Sequence, residues 1–105
     1  MNYSSQMVQV LKSDVFDAWL GKLRDHEAKA RILVRVARLS QGNPGDVKSV
    51  GHGVLEMRVD LGPGYRIYFT RRGDQIALLL CGGDKRTQAA DIARAKEIAA
   101  QWSVK

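Results

Sequence analysis

Gly51-His52-Gly53-Val54-Leu55-Glu56-Met57-Arg58-Val59-Asp60, the break Leu61-Gly62-Pro63-Gly64, Tyr65-Arg66-Ile67-Tyr68-Phe69-Thr70-Arg71-Arg72, Gly73-Asp74 and the run from Gln75 to Cys81 follow one another along the chain. Gly82-Gly83-Asp84-Lys85-Arg86-Thr87 closes the stretch. Three short runs rich in β-branched and aromatic residues, divided by glycine-centred turns, predict a three-stranded antiparallel meander. In the first run alternation places Leu55, Met57 and Val59 on a core face and Glu56, Arg58 and Asp60 on a wet one. In the second run Tyr65, Ile67 and Phe69 are the apolar set, and Arg66, Tyr68 and Thr70 fall opposite. A turn centred on Pro63 pairs Asp60 with Arg66 and Arg58 with Tyr68, all on the polar face. The third run, Ile76-Ala77-Leu78-Leu79-Leu80-Cys81, is apolar without alternation and so reads as a central strand covered on both faces.

Upstream, Met1 to Gln6 is polar and expected to be loose, and Met7-Val8-Gln9-Val10-Leu11 has the composition of a first strand. Ser13 or Asp14 caps a short amphipathic helix with Phe16, Trp19, Leu20 and Leu23 on its apolar side. Asp25 or His26 opens a second helix in which Ala28, Ile32, Val36 and Leu39 recur at helical spacing. Gly42-Asn43-Pro44-Gly45 ends it. Its basic residues, with Arg31, Arg35 and Arg38 among them, read as the solvated face of a helical hairpin covering the sheet. Asp46 to Val50 leads into the meander. Downstream, Gly82-Gly83-Asp84 reads as a turn, and Asp84 or Thr87 caps a last helix carrying Ala89, Ile92, Ala93, Lys96, Ala99 and Ala100. The order β-α-α-β-β-β-α defines an α+β class.

The 105 residues suit one domain, residues 1–105, large enough to close a single core. One cysteine excludes an intrachain disulfide, and Cys81 at the end of an apolar strand reads as a buried small hydrophobe. No apolar run approaches the ~20 residues of a membrane span, and the N-terminus lacks the pattern of a secretion signal, so a cytoplasmic protein without a membrane partner is expected. Seventeen Lys and Arg against eleven Asp and Glu give a net charge of +6, which favours a polyanionic partner wherever the arginines converge.

Motifs for cofactor chemistry are missing. Two histidines and one cysteine offer no ligand pairs at zinc spacing, and neither Gly62-Pro63-Gly64 nor Gly82-Gly83 matches a P-loop or a dinucleotide fingerprint, so no metal and no cofactor is expected. What remains is a cationic face: Arg58 and Arg66 from the hairpin, Lys48 before it, and Lys85 and Arg86 where the last helix begins. The competing account of the two arginines is cross-strand ion pairing, Arg58 with Glu56 or Asp60 and Arg66 with Asp60, which needs no ligand.

Several blocks carry a resemblance: Phe16-x-x-Trp19-Leu20, Arg31-Ile32, Arg38-Leu39, Gly42-Asn43-x-Gly45-Asp46-x-Lys48 and Gly51-x-Gly53-Val54-x-Glu56-Met57-Arg58. Gly62-Pro63-Gly64-Tyr65-Arg66-Ile67-Tyr68-Phe69 and Leu78-Leu79-Leu80-Cys81-Gly82-Gly83-Asp84-Lys85-x-Thr87-Gln88 complete the set. From about Phe16 to Trp102 the chain resembles the addiction-module killer proteins of the RelE/ParE superfamily, in the HigB-like branch. The resemblance implies a small curved antiparallel sheet with an N-terminal helical hairpin and a C-terminal helix. It implies the toxin of a bacterial type II toxin–antitoxin system, neutralised by a cognate antitoxin that carries a helix-turn-helix domain. The activity implied is ribosome-dependent mRNA cleavage, with ribosome and mRNA as partners; the alternative, from the ParE branch, is non-enzymatic inhibition of DNA gyrase.

Carried over residue by residue, the RelE-type arginine after the hairpin turn falls on Arg66, the basic residue of the preceding strand on Arg58, and the one before the last helix on Lys85 or Arg86. The tyrosine that RelE places near the start of the final helix has no counterpart, since Ala90, Asp91 and Ile92 stand there; Tyr68 is the substitute considered. Cleavage through the 2′-hydroxyl needs a base, an acid and cations around the phosphorane, and arginine supplies only the last. Lys85, Tyr68 or His52 would have to move protons. His52 is attractive as an imidazole, although a glycine-flanked loop histidine has a simpler account as an exposed side chain. The expected catalytic set is therefore Arg58, Arg66, Lys85 and Tyr68, with Lys48, Arg86 and His52 as RNA contacts.

Overall fold

A computed structural model describes residues 7–102; the N-terminal segment expected to be loose lies outside them. The elements run β1 (Gln9–Lys12), α1 (Asp14–Lys22), α2 (His26–Ser40), β2 (Val47–Gly51), β3 (Val54–Val59), β4 (Tyr65–Arg72), β5 (Ile76–Gly83), a 3-10 turn (Lys85–Thr87) and α3 (Gln88–Gln101). The five strands form one mixed sheet in the order β1-β5-β4-β3-β2. The α+β class, the helical hairpin and the C-terminal helix are as expected, and the architecture is compatible with a small RelE-like fold.

Two features go beyond the expected order. The meander has a further strand, β2, antiparallel to β3 at the sheet edge, and β1 pairs in parallel with β5 at the other edge. Val47-Lys48-Ser49-Val50-Gly51 shows no alternation because it is an edge strand, largely open to solvent and irregular between Ser49 and Gly51. β5, an interior strand between β1 and β4, is covered on both faces as its apolar run requires. Ala77 and Leu79 join Phe16, Ile32 and Leu39 of α1 and α2, while Leu78, Leu80 and Cys81 join Ala95 and Ala99 of α3.

The helices begin and face as their sequences dictate. Ser13 caps α1 by accepting from the Phe16 amide at 3.0 Å, and its hydroxyl donates to the Leu80 carbonyl at 2.6 Å. Leu80 is the extra residue of a bulge between β4 and β5, so Ser13 satisfies a carbonyl the ladder leaves out. Asp25 caps α2 through the Ala28 amide, and Ala28, Ile32, Val36 and Leu39 are all buried. On α3 Ala95 and Ala99 are covered with Ile92 and Ile98 half-buried, whereas Ala89, Ala93 and Ala100 face solvent.

The register of the central hairpin also differs. Arg58 stands opposite Arg66, and Glu56 opposite Tyr68, because Asp60 leaves the strand and the connection Asp60–Gly64 is five residues long, centred on Gly62 rather than Pro63. Left-handed backbone at Gly62 (φ 58°) and Gly64 (φ 82°) makes that loop possible. The two-residue slip preserves which face each side chain takes but changes every partner. Gly82-Gly83, expected to be a turn, is the end of β5. A Cβ on Gly82 would collide with the Trp19 ring, and one on Gly83 with the Asp91 carboxylate.

Candidate functional site

The β3–β4 loop and the 3-10 turn after β5 lie side by side at one end of the sheet, joined by the Lys85 amide donating to the Pro63 carbonyl at 3.4 Å. Between them is an open depression of about 510 Å³ bounded by Asp46, Arg58, Asp60, the Gly62-Pro63-Gly64 loop, Tyr65, Arg66 and Lys85. Three of the four expected catalytic residues, Arg58, Arg66 and Lys85, therefore converge on one surface.

Arg58 is exposed, and its guanidinium donates to Asp46 Oδ1 at 3.1 Å, which raises its pKa further above the usual arginine value. Its backbone is pinned from the other side of the sheet, where Arg35 of α2 donates from Nη1 to the Arg58 carbonyl at 2.6 Å and from Nη2 to the Pro44 carbonyl at 3.0 Å. Burial lowers the Arg35 pKa, and the guanidinium works here as a staple between α2 and two segments of the site wall. Neither arginine makes the expected pairs. Asp60 turns away in the loop, so Arg58 takes Asp46 and Arg66 takes Glu56, with Nε 3.5 Å from Glu56 Oε2.

Glu56 corrects the picture of a wet face. Its neighbours in the alternating run gave it to solvent, yet it is 0% exposed because α3 covers that part of the sheet. Glu56 Oε2 accepts from the Tyr68 hydroxyl and from Gln88 Nε2, each at 2.8 Å, and Lys48 Nζ lies 3.9 Å from Oε1. Tyr68 is likewise fully buried. Burial first, then the hydrogen bond to Glu56, pushes its phenol above the ordinary tyrosine range. The phenol does not line the depression, and its proton is committed to Glu56, so the structure does not bring Tyr68 to the other three expected catalytic residues.

The remaining expected residues disperse. Lys48 is half-exposed at the sheet edge beside Glu56. Arg86 points its guanidinium at Asp84 Oδ2, 3.2 Å away, next to Lys85 but outside the depression. His52 occupies the tip of the β2–β3 turn with φ 56°, at the opposite end of β3 from Arg58 and exposed. Among the described residues no group of three or more His, Cys, Asp or Glu could hold a metal ion, and no helix is long and apolar enough to cross a membrane. Sequence reasoning missed Asp46, Glu56, Gln88 and Arg35 as parts of the site. Of these Asp46, Glu56 and Gln88 carried a signal, their places in the blocks that bear the resemblance, and Arg35 carried none.

A mixed five-stranded sheet flanked by three helices, with three cations around an open depression at its end, defines a small α+β protein of RelE-like build. Its kinship is consistent with that: the chain belongs to the phage-derived Gp49-like family (DUF891), whose model matches residues 18–102. This family is associated with toxin–antitoxin systems and related to RelE-like toxins. The chain is also similar to an uncharacterized protein of Haemophilus influenzae, 48% identical over 92 residues that cover 88% of this chain and 93% of the relative.

Proposed function

We propose that this protein is the toxin of a type II toxin–antitoxin pair, of the RelE/HigB-like kind, and that it cuts mRNA in the ribosome. One observation carries the reading: Arg58 and Arg66 stand directly opposite on β3 and β4, and with Lys85 they border a single open depression. Three cations around one cavity suit a phosphate in a chain of phosphates. In the proposed reaction the 2′-oxygen of one nucleotide attacks the neighbouring phosphorus while the bond to the 5′-oxygen breaks. A cyclic phosphate and a 5′-hydroxyl result; the 2′-hydroxyl gives up its proton and the 5′-oxygen takes one. Arg58 and Arg66 hold the non-bridging oxygens as negative charge builds. Lys85 adds a third cation, as phosphate ligand or as the proton donor to the leaving oxygen. Lys48 and Arg86, outside the cavity, would serve as contacts for more distant phosphates of the chain. Tyr68 acts only through its hydrogen bond to Glu56.

A second reading is supported by a different feature. With Tyr68 committed to Glu56 and Ala90, Asp91 and Ile92 at the start of α3, the depression lacks a stacking aromatic from that helix, which suits a ParE-like protein that binds and inhibits gyrase without chemistry. Pulsed expression in a bacterial host separates the two. Translational arrest with new codon-phased mRNA 5′ ends supports the nuclease; arrest of DNA synthesis with intact messages overturns it. On either reading a cognate antitoxin, of the helix-turn-helix type, covers the depression or the α1–α2 hairpin with acidic or apolar residues. A complex that leaves both surfaces open refutes this.

A further inference from the structure

Glu56 is a carboxylate with no exposure to solvent, although Arg58, two residues further along the same strand, is exposed. Removing a carboxylate from water is costly unless hydrogen bonds and an opposite charge compensate it. Here the compensation comes from three side chains on two elements: Tyr68 of β4 and Gln88 of α3 donate to Oε2 at 2.8 Å each, and Arg66 of β4 brings its Nε to 3.5 Å from the same oxygen. Two uncharged donors anchored in different elements fix where the negative charge sits. From that anchor we propose that Glu56 is a positioning residue: it holds the Arg66 guanidinium in the pose that faces the depression.

The geometry of the guanidinium supports this. It is a rigid planar fork with five N–H donors. Nε lies 3.5 Å from Glu56 Oε2, and one Nη1–H is held by the Gly64 carbonyl at 3.0 Å, so the guanidinium is held by a charge contact on one side and a hydrogen bond on the other. Three donors are left without a protein acceptor among the described residues, and Arg66 borders the cavity. An arginine fixed in this way does not lose its rotamer freedom when an anion arrives, which is the benefit of a pre-organised site. Glu56 Oε1 makes no hydrogen bond, and Arg66 Nε meets Glu56 as an ion pair without hydrogen-bond geometry. The interaction is therefore carried by charge, and neutralising the carboxylate releases it. The role of the pose in binding rests on the phosphate-binding reading of the depression; the hold on Arg66 does not.

The test records the arginine Nε–Hε resonances of the whole ¹⁵N-labelled protein, assigned with Arg66→Lys, and titrates it with a 2′-O-methyl RNA hexamer that cannot be cleaved. In the wild type, Arg66 is expected to give a resolved, slowly exchanging signal that moves on adding the hexamer. In Glu56→Gln, which keeps the side chain's shape, that signal is expected to collapse toward the position of free arginine and hexamer affinity to fall about tenfold. Gln88→Ala, a change at a half-exposed helix start, is expected to produce a smaller shift in the same direction and keeps the test valid if Glu56→Gln does not fold. An unchanged Arg66 signal in either folded variant overturns the proposal. If the wild type does not bind the hexamer while the Arg66 signal still depends on Glu56, the hold on Arg66 stands and the phosphate-binding reading falls.

Discussion

Arg58 and Arg66 are direct register partners across β3 and β4, a placement in which like charges repel. The fold tolerates it by giving each its own acid, Asp46 at 3.1 Å on the exposed side and buried Glu56 at 3.5 Å on the covered side. A sheet designed only for stability has no reason to hold two arginines opposite one another at its open end. Arg58→Ala is expected to weaken single-stranded RNA binding about tenfold and to make the salt dependence of binding shallower by about 0.7 in log–log slope, as the loss of one phosphate contact requires. Its urea midpoint should match that of wild type, since the side chain is exposed. Arg66→Ala should lose toxicity as well but cost on the order of 3 kcal/mol, because it strips the buried Glu56 of its nearest cation. Growth assays with urea melts on both variants check the pair; full toxicity in the double variant removes these residues from the function.

Asp46 competes with any incoming anion for Arg58. Replacing it by Asn keeps a hydrogen-bond acceptor and removes the charge. Affinity for single-stranded RNA in 50 mM salt should then rise by about three- to tenfold, the scale of one exposed to half-exposed charge interaction. The gain should shrink in 300 mM salt as screening grows. Fluorescence anisotropy at the two salt concentrations reads this directly, and a loss of affinity in the variant means that Asp46 orients Arg58 rather than masking it.

The chain announces its helices and most of its strands, and the reasons lie in particular residues. Ala28, Ile32, Val36 and Leu39 mark a helix face because nothing but the 3.6-residue period sorts them, and all four are buried. Glu56 reads as exposed because local alternation reports only which face a side chain takes; that α3 covers this face is decided by Ala95 and Ala99 some forty residues away. The hairpin register depends on whether Asp60 ends the strand or begins the loop, a choice the Leu61-Gly62-Pro63-Gly64 sequence leaves open. β2 escapes notice because an edge strand with one neighbour has no buried alternation to display. The three cations of the depression were legible as residues; which acid each arginine takes, set by register and by α3, was not.

Gly82 and Gly21 make opposite predictions from the same substitution. Gly82→Ala drives a methyl group into the Trp19 ring, which is itself packed on the core, so stability should drop by about 1–3 kcal/mol. Gly21 lies in α1 with nothing near the place a Cβ would occupy. Gly21→Ala should therefore stabilise by about 0.5–1 kcal/mol through helix propensity. Denaturant midpoints of the two single variants against wild type settle the contrast, and a neutral Gly82→Ala would mean that Trp19 does not rest on β5.

Cys81 should make the protein weaker in alkali. Burial, with Asp91 adding to it, pushes the thiol up to about 12, and Sγ donates to the Asp91 carbonyl at 3.5 Å. An unfolded cysteine titrates near 8.5. The folded value is the higher one, so the folded state keeps its proton after the unfolded state has lost it. The contribution is complete below about pH 8.5 and disappears as pH rises from there toward 12. By pH 10 the loss from this group should be about 2 kcal/mol, and Tyr68, raised for the same first reason, adds to it at higher pH. Urea midpoints at pH 7.5 and pH 10 give the wild-type slope; Cys81→Ala starts lower because of the small cavity it leaves but should fall less between the two pH values. Equal falls would place the alkaline sensitivity elsewhere. The native thiol should also resist iodoacetamide at pH 8 until urea exposes it, since the reactive species is the thiolate and burial denies it both charge and access.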